Sequence, residues 1–248
     1  MKRSAVLWLV FILFMFARNS FAAGNVQSFK EANQVYADGK YQDAIKTYQE
    51  ILKSSPSAEV YYNLASAFIK DKQLGNAVLN YERAKRLNPR DPDIRSNLSY
   101  MNRLIEYKVE DKRSWYFRTI MDLLGFFRPI ECWLLFLGSY SIFLVGLLIS
   151  MIRRRPLLNK FNTVLLSVVV IALLPLFLKY SETGMKNDAV VTAKQAEVRY
   201  GPSTVDRIAF RLVEGLKVSV HDHKQDWSRI KLIDGRTGWV RDSEISVI

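Results

Sequence analysis

The chain carries two histidines, His221 and His223, and a single cysteine, Cys132. At a spacing of two, the imidazoles share one face of a strand, with Asp222 and Asp226 nearby as oxygen donors. A zinc-like centre takes four ligands, or three and an open position. No further histidine, and no cysteine outside a hydrophobic run, is present to complete one. The pair reads as a polar surface turn, and no metal or other cofactor is expected. No nucleophile stands beside a base, and no phosphate-cradling glycine loop occurs. No catalytic residue is assigned, so the chain is read as a binder and not an enzyme. The side chains suited to that chemistry are Asn33, Asn63 and Asn97, with Tyr36 and Tyr62 beside them. An amide offers both donor and acceptor, so these residues hold a peptide backbone or else stand as solvated or capping groups. Phe29, Tyr36 and Tyr62 are either groove anchors or inter-helix packing.

Those residues lie in a segment that repeats itself. Asp43–Pro56 recurs 33 residues later as Asn76–Pro89, with Ala44, Tyr48 and Pro56 mapping onto Ala77, Tyr81 and Pro89. A period of about 33 with small, aromatic and proline landmarks in that order is the mark of tetratricopeptide repeats. Each unit is a helix pair whose apolar faces need a stacked neighbour. Ala32, Ala44 and Tyr48 in the first unit, and Leu64, Ala65, Ala77 and Tyr81 in the second, are the expected contacts. Asp91-Pro92 opens a third, partial unit as cap and first helical residue. Its single helix is expected to close the stack.

Net charge is +12, divided as +3 over 1–23, +2 over 24–107, +6 over 108–180 and +1 over 181–248. The excess flanks hydrophobic runs, where anionic lipid headgroups lie. No basic face marks a nucleic-acid partner. Lys2-Arg3, the apolar run Ala5–Ala17 and Ser20-Phe21-Ala22 read as a secretory signal, either cleaved or kept as an anchor. Cys132–Ile152 and Phe161–Leu178 are uncharged and long enough to span a bilayer. Arg153, Arg154, Arg155 and Lys160 crowd the turn between them, which favours the cytoplasmic side. Residues 114–128 are apolar but broken by Arg118, Asp122 and Arg128. They form a helix lying on the membrane surface, or an ordinary helix packed on the repeats.

The tail changes period. Ala196–Arg199, Leu216–Val220, Trp227–Leu232 and Thr237–Val240 read as strands, separated by Gly201-Pro202-Ser203, Glu214-Gly215 and Asp234-Gly235. About sixty residues of this kind suggest a small β-barrel.

Residues 25–107 resemble the tetratricopeptide family, whose first helices line a groove for extended peptides or a partner helix. Asn33 and Asn63 match two asparagine positions of the family's carboxylate clamp. Phe29, Asp93 and Asn97 stand where the remaining clamp residues belong, so the full clamp is absent. Ala196–Ser203, Gly215, Trp227 and Asp234–Val240 are similar to bacterial SH3 domains, which implies that Tyr200 and Trp227 line a groove for peptide or cell-wall material, with Trp239 in the core. Arg241 departs from the proline found in many relatives.

The order of segments, together with Asn88–Leu98, resembles the BatE-type proteins of bacterial aerotolerance operons. That resemblance implies an inner-membrane protein with von Willebrand factor A-domain membrane proteins as partners and a MoxR-type ATPase in the same system. The fold expected is multidomain. It comprises a signal peptide (1–22), an α-helical repeat array (25–107), an interfacial amphipathic linker (108–130) and transmembrane helices over 131–152 and 161–179. A basic cytoplasmic turn (153–160) joins the two spans, and an all-β SH3-like barrel (188–248) follows. The function expected is a periplasmic, membrane-anchored scaffold for proteins, or alternatively a peptidoglycan-binding sensor or anchor.

Overall fold

The structure, a computed structural model, describes residues 26–105, 114–157, 159–185 and 187–248. The signal read over 1–22 lies outside the described residues. Residues 26–37 form helix α1, followed by α2 (Tyr41–Ser54), α3 (Ala58–Lys70), α4 (Leu74–Leu87) and α5 (Pro92–Leu104). Helices α1 to α4 make two stacked pairs, and α5 packs on α4. Ala32, Ala44, Ala65 and Ala77 are fully buried, because a methyl group is all that fits where the helices cross closely. Ser57 caps α3 by accepting from the Val60 amide, and Asp91 caps α5 by accepting from Asp93 and Ile94. Helix α4 has no such local help: Gln73 makes no side-chain cap and its first turn holds no acidic residue.

The repeat landmarks also share a polar contact. Tyr48 Oη donates to Asn33 Oδ1 at 2.6 Å, fifteen residues back. One repeat later, Tyr81 Oη meets Ser66 Oγ at 3.1 Å over the same separation. Burial, and after it the Tyr36 phenol, push the Tyr48 hydroxyl up to about 12, so it remains a neutral donor.

Helix α6 (Trp115–Phe126) leads into α7 (Pro129–Ile152) and α8 (Lys160–Met185), which pack side by side. Ile130–Ile152 and Lys160–Phe177 are long and apolar enough to cross a bilayer, and 11% of each is buried within the protein. Helix α8 runs on to Met185, past the expected end at 179. The turn is held by Ser150 Oγ, which accepts from both Asn159 and Asn162 at 2.9 Å. Asn162 also donates to the Leu157 carbonyl at 2.7 Å. Such bonds satisfy polar groups that hydrocarbon could not. On α6 the exposed side chains include Trp115, Tyr116, Ile120, Leu123 and Phe126, an apolar surface of the kind a bilayer interface takes up.

A clamp ties the repeats to the corner between α6 and α7. The Arg90 guanidinium lies over the Phe126 ring at 4.8 Å, donates to the Phe126 carbonyl and pairs with Glu131. Glu131 in turn accepts from the Arg128 amide, and Arg128 reaches back to Asn88 Oδ1 at 2.8 Å.

Seven antiparallel strands follow: β1 (Asn187–Val191), β2 (Gln195–Arg199), β3 (Ile208–Val213), β4 (Lys217–Lys224), β5 (Trp227–Lys231), β6 (Thr237–Arg241) and β7 (Ile245–Val247). Their order is β3-β2-β6-β5-β4-β1-β7. Strands β1, β3 and β7 were not among the four expected. Strand β1 hides from a period-two search because Ala189, Val190 and Val191 are all fully buried. One of its faces meets the barrel interior and the other meets α4.

That second contact joins the two modules. Gly75, Val78, Glu82 and Arg86 form one stripe of α4, at helical spacing, and all four face the barrel. The Gly75 amide donates to Glu214 Oε1 at 2.7 Å. Val78 shares one buried cluster with Leu98, Met101, Ile105 and the barrel interior. Lys217 Nζ sits 3.5 Å from Glu82 and 3.2 Å from Asp188. Arg83 and Arg86 donate to the Val247 and Ile248 carbonyls beside edge strand β7.

Replacing Tyr48 by Phe removes one of the two donors on Asn33 and should cost about 1 kcal/mol, read as a lowered denaturation midpoint of the repeats. Glu244 gives a pH-dependent counterpart. Burial raises its carboxyl above the ordinary 4.5, and Oε2 has no hydrogen-bond partner among the described residues. The folded chain then holds this proton more tightly than the unfolded chain. Its contribution is complete below the ordinary value and is lost as pH rises through the raised one. Glu244→Gln should therefore stabilise the barrel more at pH 7 than at pH 4, measured by thermal denaturation at both.

Candidate binding surfaces

Five residues expected at the repeat groove, Asn33, Tyr36, Tyr62, Asn63 and Asn97, are all half-buried. Four of them make two hydrogen-bonded pairs across α1, α3 and α5. Asn63 Nδ2 donates to Asn33 Oδ1 at 2.9 Å, and Asn97 Nδ2 donates to Tyr62 Oη at 2.8 Å. Burial first, then the Tyr41 and Tyr62 phenols, raise the Tyr36 hydroxyl above its ordinary value. The amides are thus partly spent on one another. What remains for a ligand is the oxygens of Asn63 and Asn97, to which no described residue donates, the unspent amide protons of Asn33, Asn63 and Asn97, and two phenol rings. None of the five carries a positive charge, so the set cannot neutralise a carboxylate. Phe29 lies against the Tyr48 ring, 6.2 Å between centroids, and is inter-helix packing.

In the barrel the expected groove pair separates. Tyr200 is 73% exposed in the β2–β3 connection, whereas Trp227 is 8% exposed. The reason is cross-strand: Arg241 opposes Trp227, and its guanidinium covers the ring at 5.6 Å. On β6, alternation turns Gly238 and Val240 inward, so Trp239 faces outward and is only half-buried. Trp239, read as core, is therefore the more accessible tryptophan, flanked in register by Arg199 and Arg229.

The two histidines do not share a face. A bulge between Val220 and Asp222 interrupts the alternation of β4. His221 lines a shallow hollow with Asp222, Arg229, Lys231 and Thr237. His223 Nδ1 instead lies 3.2 Å from Asp242, whose other oxygen accepts from Ser228. Among the described residues no group of His, Cys, Asp and Glu could hold a metal.

The inter-module contacts of Gly75, Arg83, Arg86, Glu214 and Lys217 went unread, as did the pairing of Arg90 with Glu131. One signal was present: glycine near the start of a helix costs stability, which points to a close backbone approach. Glu214-Gly215 carried only a turn signal.

Against known proteins, residues 58–91 match the tetratricopeptide repeat family and residues 192–246 match the bacterial SH3 domain family. A curated relative, the peptidyl-prolyl cis-trans isomerase CYP7 of Saccharomyces cerevisiae, is 35% identical over 79 residues, which cover 30% of this chain and 20% of that protein. The chain thus spans about a fifth of the curated relative it matches. It carries a tetratricopeptide repeat and a bacterial SH3 domain, with two helices of membrane-spanning length between them.

Proposed function

We propose that the chain is a membrane-anchored scaffold presenting two recognition modules on the periplasmic face of an inner membrane. The observation that carries this is the conjunction on one chain of a repeat groove, a bacterial SH3 domain and an apolar helical hairpin. The basic turn Arg153–Arg155 with Lys160 supports a cytoplasmic hairpin tip, which leaves both modules on the opposite side. Acceptor oxygens on Asn63 and Asn97, with the Tyr36 and Tyr62 rings, suit the amides and side chains of an extended protein segment. The resemblance to BatE-type proteins points to von Willebrand factor A-domain membrane proteins as partners within an aerotolerance-type complex, and indirectly to a MoxR-type ATPase. Two weak contacts held to one bilayer gain avidity without either being tight. The chain itself is read as non-catalytic, so adding it purified to a prolyl-peptide isomerisation assay should leave the rate unchanged.

A second reading has the barrel binding peptidoglycan, favoured by the exposure of Tyr200 within the segment that matches the bacterial SH3 family. Photoreactive side chains placed at Tyr36, Asn97 and Tyr200 of the full chain in native membranes separate the two. The scaffold reading expects integral membrane proteins to be captured through the repeat positions. It also expects Tyr62→Ala to lower that capture about tenfold, as loss of an aromatic anchor does. Capture of glycan at Tyr200, with no protein captured through the repeats, would replace it by the cell-wall reading.

A further inference from the structure

The repeat array stops half-way through its third unit. Helix α5 packs on α4, but among the described residues no second helix covers the two of them. Helix α6 does not take that place, since among its described side chains only Leu124 is buried. The barrel occupies it instead. Ala65, Val78, Leu79, Tyr81, Leu98, Met101 and Ile105 of the repeats lie in one buried cluster with the barrel interior. Ile105, just past the end of α5, meets the β3–β4 turn at Gly215, where a Cβ would stand 3.1 Å from its Cδ1.

The polar contacts supply what the repeats lack. Helix α4 begins without a side-chain cap or an acidic first turn. Its exposed amides and positive dipole end call for an acceptor there. Glu214, 139 residues away in sequence, provides one at 2.7 Å. In return, Arg83 and Arg86 of α4 satisfy carbonyls at the β7 edge. At Gly75 the fit is closest, since a Cβ would lie 2.5 Å from the Val191 carbonyl oxygen.

We propose that the SH3-like barrel is the terminal cap of the repeat array, so that repeats and barrel fold as one cooperative unit rather than as two beads on a membrane tether. Repeat arrays need a terminal element that covers the last apolar face, and here a β-barrel does so through α4. The unit holds whichever ligands the two modules take.

The test is hydrogen exchange followed by mass spectrometry on the full chain in lipid nanodiscs across a urea series. Peptides from 41–104 and from 187–248 should lose protection at one shared midpoint. Glu214→Ala should lower both together and speed exchange of the α4 first-turn amides about five- to tenfold, as loss of a cap does. Gly75→Val, which pushes the two backbones apart, should split the shared midpoint into two. Separate midpoints in the unaltered chain would overturn the proposal, as would Glu214→Ala leaving α4 exchange unchanged.

Discussion

Helix α4 has to bury two faces at once, and the arrangement of the soluble part follows from that. Its Ala77, Tyr81 and Ala84 side chains are buried in the array, while the stripe Gly75, Val78, Glu82 and Arg86 meets the barrel. A lone two-repeat array would leave Gly75 and Val78 of this helix uncovered. Once the barrel is docked, β1 must be apolar on both sides as well, which is why three successive buried residues replace an alternating pattern there. The contact rim is ionic. Partial burial lowers the Lys217 pKa, but the carboxylates of Glu82 and Asp188 more than offset this and raise it, so the ammonium stays charged between the two modules.

The second junction works differently. Arg90 and Glu131 are 44% and 29% exposed, and an ion pair that open contributes little by itself. Its hold comes from geometry: one guanidinium stacks on Phe126, donates to a backbone carbonyl and pairs with the carboxylate that also accepts from the Arg128 amide. A planar group with several fixed donors can do this, and an ammonium cannot. The repeats are thereby fastened where α6 turns into α7, directly before the first apolar helix. Rigid docking to the barrel on one side and this clamp on the other restrict how the groove can point relative to the hairpin.

What could be read in advance was whatever leaves a local periodic trace. The 33-residue echo put Ala44, Ala77, Tyr48 and Tyr81 inside, because helix packing repeats at fixed spacing. The two uncharged runs are visible because length alone distinguishes them, and Asp91-Pro92 because cap chemistry is confined to neighbouring residues. The contacts that join modules leave no such trace. Glu214 acts on Gly75 across 139 residues, and nothing in either neighbourhood names the other. Trp227 and Trp239 exchanged their expected exposures for a similar reason: alternation along β6 was legible, but the Arg241 side chain lying over Trp227 depends on cross-strand register. The pairing of the histidines failed at a bulge, which shifts faces by one residue.

The groove shows how internal bonding narrows what a surface can recognise. Asn33, at the position where a clamp would hold a carboxylate, spends its oxygen on Tyr48 and Asn63. Asn97 spends a proton on Tyr62. Each amide so engaged is fixed in orientation, which lowers the entropy lost on binding. The same bonds leave the oxygens of Asn63 and Asn97 and the amide protons of Asn33 unspent, with no cation among these residues. Such a surface, with both donors and acceptors left, suits a peptide backbone, which offers both as well. What these five residues lack is a cation, so a charged chain end gains no ion pair from them.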